Sequence, residues 1–260
     1  MIFPNNSITL PHKTKTWHNI GFALPIKLIT MFTLKNLFIL SIISLFAVLG
    51  NAQTEMYHTD QVLSDSAAAV RKTHKSIKIN KSVWLIENLS TSTYRNGDSI
   101  PEAKTEREWK KCKEEQRGCW CYYQNNPENG YKFGKLYNWY AVNDPRGLAP
   151  KGWHIPTEAE WEGLINHLGG KMVAGPKLKS DTDWPANCNA TNSSEFFGLP
   201  AGFRTSEGGF MSMNDYAMWW TSSNYKDNMA WYVYLYCGLD FAVKNFYNKG
   251  DGFSVRCVKD

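Results

Sequence analysis

The stretch Gly147-Leu-Ala-Pro-Lys-Gly-Trp-His-Ile-Pro-Thr-Glu-Ala-Glu-Trp161 constrains the fold most, because a Gly/Pro-punctuated strand end runs straight into a helix start. Thr157 is spaced to accept a hydrogen bond from the N–H of Glu160, and the Glu160 carboxylate to reach back to the N–H of Thr157, which is a capping box. Trp161, Leu164, Ile165 and Leu168 then recur at helical spacing on one face, and Gly169 supplies a stop. The pattern predicts one short amphipathic helix. Glu158, Glu160 and Glu162 could be read as a catalytic acid cluster, but acids in a first turn complement the helix dipole, and that reading is preferred. A second capping box, Thr105-Glu-Arg-Glu108, predicts another helix with Trp109 and Cys112 on its inward face.

Residues 1–52 read as a leader. The apolar run Leu37–Leu49 follows Lys35 and ends in Gly50-Asn51-Ala52, so a signal peptide cleaved before Gln53 is expected, with Met31 at the usual distance for its start. The run is too short to span a bilayer, and no integral membrane span is expected after its removal. Lys13, Lys15, Lys27 and Lys35 leave with it, four of the 29 basic residues, so the mature chain carries 25 against 24 acids. A near-neutral chain has no broad electrostatic reason to bind nucleic acid. The expected address is secreted or cell-surface.

Residues 53–82 are polar, lack a hydrophobic period and read as a linker; one domain is expected over 83–260, where short apolar runs between turns argue against a helical bundle. Cys112, Cys119, Cys121, Cys188, Cys237 and Cys257 all lie in the exported part, an even count that suits disulfides, with fifteen pairings open. Cys257 falls on the core side of the alternating run Phe253–Cys257. All but one of the eleven Trp and all thirteen Tyr lie beyond the leader. In Trp231–Tyr236 the alternation sets Trp231, Val233 and Leu235 on one strand face and Tyr232, Tyr234 and Tyr236 on the other. That tyrosine ladder is the candidate ligand platform, the alternative being a layer packed under a loop or a neighbouring sheet. Ser222 and Ser223 lack a Gly-x-Ser-x-Gly setting and an evident His partner, so they read as strand or turn residues.

Trp84–Leu89, Thr93–Asp98, Cys121–Tyr123, Gly134–Val142, the opening motif, Leu199–Arg204, Trp219–Ser223 and Gly252–Cys257 occur in an order that resembles the Fibrobacter succinogenes major paralogous domain. The resemblance runs over Val83–Asp260 and implies an exported or surface protein of Fibrobacter or Bacteroidetes-type bacteria. It also implies a bridge between Cys121 and Cys257, both inside the shared motifs, with Cys112–Cys119 and Cys188–Cys237 completing the set. More distantly, Ile155–Trp161 and Gly252–Cys257 are similar to stretches of formylglycine-generating enzymes. That likeness implies an α+β, C-type-lectin-like domain with short antiparallel strands, few helices and long irregular loops.

The chemistry of those enzymes is not expected here. They carry a close Cys pair before the closing motif, where this chain has only Cys237, and the related iron-dependent sulfoxide synthases need a His cluster. Beyond the leader there are only His58, His74, His154 and His167. Asn125–Asn129 and Asn143-Asp144 offer oxygen ligands, which leaves calcium open while no other cofactor is expected. The expected function is a non-catalytic module that binds glycan or protein. The alternatives are an oxidoreductase of the formylglycine-generating type and a purely structural envelope component.

Overall fold

The computed structural model describes residues 74–260; Met31, the cleavage point and most of the expected linker lie outside them. The first two strands, β1 (Ser76–Ile79) and β2 (Ser82–Leu85), form an antiparallel hairpin with Ile79 opposite Ser82. Asn80 takes the left-handed backbone that such a tight turn requires, φ 57°. The domain therefore begins ahead of the expected boundary at Val83. Ile77 and Ile79 are the reason: Ile79 is buried and Ile77 packs beside it, despite the polar residues between.

Both capping boxes form. Helix α1 (Glu106–Glu114) starts at Thr105 and buries Trp109 and Cys112. Strand β3 (Trp120–Cys121), helix α2 (Pro127–Phe133), strand β4 (Leu136–Tyr137), helix α3 (Trp139–Val142) and strand β5 (Trp153–His154) follow. Helix α4 (Glu158–His167) starts at Thr157 and buries Trp161, Leu164 and Ile165. Leu168 completes the apolar stripe, and Gly169 leaves the helix at φ 104°. After helix α5 (Ala174–Leu178) the chain is mostly strand: β6 (Phe203–Arg204), β7 (Phe210–Met211), β8 (Tyr216–Lys226), β9 (Met229–Tyr236), β10 (Ala242–Asn248) and β11 (Val258–Lys259).

Strand β11 inserts between β2 and β5, so both ends of the described chain share one antiparallel sheet of order β1-β2-β11-β5. A second sheet is the antiparallel meander β10-β9-β8, and two short pairs, β3-β4 and β6-β7, complete the set. The architecture is α+β with mainly antiparallel pairing and few helices. Among the described residues no helix is long and apolar enough to cross a membrane.

The meander separates two cores because side chains alternate along its strands. On one face Trp219, Val233 and Leu235 join Trp84, Trp161 and Phe196 beneath α4. Trp161 is the hub there, with ring centroids 4.9 Å from Trp84, 5.5 Å from Trp219 and 5.6 Å from Phe196. On the other face Trp220 and Tyr232 pack with Phe253 and Tyr137. A third, smaller cluster under α1 contains Trp109, Cys112, Cys119, Cys121 and Leu136.

Two buried arginines hold these layers in register. Arg256 donates to the carbonyls of Leu85, Phe196 and Phe197 and to Asn88 Oδ1, all at 2.7–2.9 Å. Burial pushes its pKa down, but a guanidinium with its donors so fully served stays charged. Arg204 donates to Ala103 O and Gly208 O and lies over the rings of Trp109 and Phe210.

Candidate ligand-binding surface

The expected tyrosine platform divides. Tyr232 is 5% exposed, 5.0 Å from Phe253 and edge-on to Trp220, so it belongs to the core. Its burial, followed by the neighbouring Tyr234, pushes the phenol pKa up. Tyr234 and Tyr236 are half-buried. Tyr236 stacks on Tyr216 at 4.6 Å, and Tyr234 stacks on Tyr232 at 5.7 Å, so much of the ring surface is already covered by other tyrosines. This face is the packed layer that the alternation also allowed.

The opposite face carries an aromatic cluster that single-strand alternation does not find. Strand β8 outruns the regular ladder through an irregularity between Trp220 and Asn224, after which Tyr225 comes beside Trp231. Phe246 lies directly opposite Trp231 in the β9–β10 register. Tyr225 and Phe246 stack at 4.0 Å with their planes 10° apart, and Trp231 meets both rings edge-on at 5.0 Å and 5.8 Å. Phe246 is 36% exposed, and the other two rings are partly so.

Charged groups rim this cluster. Lys244 Nζ is 5.8 Å from the Trp231 ring centre and pairs with Glu158 and, at 2.9 Å, with Glu162. Partial burial pulls the ammonium pKa down, but the two carboxylates more than offset it. Lys226 lies over Tyr225 at 5.2 Å. From Lys244 a groove of about 300 Å³ runs between α4 and β10, past Ile165, Asn166 and Val243. Glu158 thus serves the first turn of α4 and this rim, and Glu162, one turn on, serves the rim alone, whereas Glu160 closes the capping box and bonds His154 Nε2 at 2.7 Å.

Most of the other candidate chemistry is engaged in structure, Asn125 Oδ1 being buried without a hydrogen-bond partner. Ser223 Oγ accepts from Glu158 N at 3.0 Å, and Ser222 N donates to Pro156 O. His154 bridges Glu160 and Asp260, using both ring nitrogens. Asn126 Oδ1 caps α2, Asn129 bonds Tyr123 O, and Asp144 holds Arg146 through both carboxylate oxygens. Among the described residues no group of three His, Cys, Asp or Glu side chains is placed to hold a metal ion.

Of the three expected pairings the structure forms one and leaves the cysteines of the other two as free thiols. Cys188 and Cys237 are bonded, and the ammonium of Lys179 donates to Cys188 O and Leu239 O at 2.9 Å beside them. Cys121 and Cys257 are buried free thiols in different clusters, Cys121 in the one under α1 and Cys257 in the core of Tyr137 and Phe253. Burial pushes both thiols up to about 12, which makes them poor nucleophiles. Cys112 and Cys119 are also free, in one cluster and in hydrogen-bond contact.

No curated protein and no solved structure matches the chain. The family model of the Fibrobacter succinogenes major domain matches residues 77–259, from β1 through β11 and including the aromatic cluster and all six cysteines. The chain belongs to the Fibrobacter succinogenes major domain family.

Proposed function

We propose that the domain is an exported, non-catalytic module on a C-type-lectin-like framework, which binds glycan at the cluster of Tyr225, Trp231 and Phe246. The observation that carries this reading is the cluster itself, part-exposed ring surface fixed on paired strands and rimmed by the Lys244–Glu158–Glu162 group. A sugar ring offers an apolar C–H face and a hydroxyl edge, and such a surface supplies a partner for each. Export is supported by the apolar run Leu37–Leu49 and by the Cys188–Cys237 bond, which suits an oxidising compartment.

Screening the mature protein against soluble glycans and insoluble cell-wall polymers, with calcium and then with chelator, tests the reading. Saturable binding is expected, weakened at least about tenfold by Trp231→Ala or Phe246→Ala, with Tyr236→Phe close to wild type. Binding that survives both alanine variants would place the site elsewhere. No saturable glycan binding at all would favour a protein-binding or purely structural envelope role.

A further inference from the structure

Cys112 and Cys119 are brought together by the way α1 ends. Gln116 takes the left-handed backbone at φ 50°, its N–H donates to Lys113 O at 3.1 Å, and the N–H of Arg117 donates to Cys112 O at 2.8 Å. This is a Schellman motif, which turns the chain back along the last turn of the helix. Gly118 then passes so close to Tyr94 and Ala141 that a Cβ would lie 2.1 Å from the tyrosine hydroxyl and 2.8 Å from Ala141 Cα. Cys119 follows with its thiol against that of Cys112. Asn138 fixes it there, accepting from Cys119 N at 3.0 Å and donating to Cys119 Sγ at 3.2 Å. Arg117 reaches Cys112 Sγ at 3.9 Å.

Cys121 lies in the same cluster but is not an equivalent partner. On a strand the side chains of residues i and i+2 stand parallel about 6.6 Å apart, whereas a disulfide needs Cβ atoms about 3.8 Å apart. Cys119, which directly precedes β3, and Cys121 within it are two residues apart in this way, and the guanidinium of Arg204 lies beside Cys121.

We propose that Cys112 and Cys119 close into a second disulfide of the exported protein, formed across the Schellman turn while α1 is still open to oxidant. The inference rests on the export reading, since it needs an oxidising compartment. The oxidant is a dithiol-type disulfide or glutathione disulfide. Cys112 thiolate, with Cys119 and then Arg117 lowering its pKa, attacks one sulfur of that disulfide and expels one thiolate. Cys119 then loses its proton, attacks Cys112 Sγ and expels the second. The protein loses two electrons and two protons, and the oxidant becomes two thiols. The turn and helix are local in sequence, so the pair can meet before packing seals it at 1% exposure or less.

The mature protein, reduced and unfolded, is refolded in a glutathione redox buffer, alkylated in denaturant without reduction, and digested. Cleavage after Lys113 or Arg117 separates Cys112 from Cys119 unless they are bonded. The expected result is a linked Cys112–Cys119 pair beside Cys188–Cys237, with Cys121 and Cys257 alkylated. In Cys112→Ser protein, Cys119 should become alkylatable while Cys188–Cys237 persists. Alkylation of all four cysteines that are free in the structure, or Cys121 bonded to either partner, overturns the inference. Protein recovered from the native secretion route tests the export reading separately: a reduced Cys188–Cys237 there defeats export, whatever the refolding shows.

Discussion

Among the described residues Asp251 is the carboxylate with the least solvent, 2% exposed, and only one of its oxygens is served: Ser206 N donates to Oδ1, while Oδ2 has no partner. Burial pushes its pKa up to about 7, and Glu207 adds to the rise; the bonds from Ser206 and Asn248 and the charge of Lys113 oppose it. An unfolded Asp titrates near 3.9, so between these values the folded state holds a proton that the unfolded state has released. Stability from this residue is full below about pH 4 and is lost as pH rises through about 7, by up to about 1.4 kcal/mol per unit. Asp251→Asn keeps the acceptor for Ser206 and removes the charge. Thermal unfolding of the variant should be flatter between about pH 5 and 8 and higher than wild type at about pH 8. A variant that falls in parallel with wild type would mean that Oδ2 is solvated through an opening of the Lys249–Gly252 turn. This residue could not be singled out from sequence, because Lys249-Gly-Asp-Gly252 reads as an exposed turn and its burial comes from Trp109, whose indole donates to Gly250 O at 2.9 Å.

Elements whose signals span only a few residues were legible, and elements made by long-range pairing were not. The starts of α1 and α4 were readable because a capping box occupies four consecutive residues and is satisfied by its own segment. Strand β1 was not, since two isoleucines among polar residues become a strand only when β2 is itself fixed by β11. The Tyr225–Phe246 stack needs the β9–β10 register and the irregularity in β8, neither of which is encoded locally. The clamp on α4 joins both kinds of signal. Glu160 caps the helix and also meets His154 of β5, whose other nitrogen bonds Asp260 at 2.8 Å. Partial burial lowers the imidazole pKa, but Glu160 and then Asp260 more than offset it, so the folded value is raised. Partial burial alone would raise the pKa of Glu160, yet the bonds from Thr157 and His154 leave it lowered. The histidine contribution is therefore full below its unfolded pKa and disappears as pH rises through the folded one; the glutamate contribution fades as pH falls through its folded value. A double-mutant cycle of Glu160→Gln and His154→Gln should give a coupling below about 1 kcal/mol, largest near pH 5.5 and absent near pH 9. Coupling that persists at the higher pH would mean a neutral hydrogen bond and no ion pair.

For the whole molecule, the long loops between α5 and β8 and between β9 and β10 depend on one covalent tie. Cys188–Cys237 closes a loop of 49 residues, and chain-entropy reasoning assigns such a closure about 4 kcal/mol of stability, with measured bonds in exported domains commonly near 2–5. Lys179 adds a second tie at the same place, its buried ammonium bridging the carbonyls of Cys188 and Leu239. Burial lowers its pKa, opposed by Asp240. The two ties act on different states: the bond restricts the unfolded chain, whereas the ammonium satisfies carbonyls of the folded one. Replacing both cysteines with alanine should lower the denaturation midpoint by the equivalent of about 2–4 kcal/mol while leaving the proposed glycan binding at the Trp231 cluster unchanged under folding conditions. Lys179→Met should also destabilise, by about 1–3 kcal/mol for the carbonyls left without a donor, and should do so equally with the disulfide oxidised or reduced. If the alanine pair costs less than about 1 kcal/mol, the loops are held by packing and hydrogen bonds alone. If Lys179→Met is harmless only when the bond is reduced, the ammonium serves the disulfide and has no independent hold on the loops.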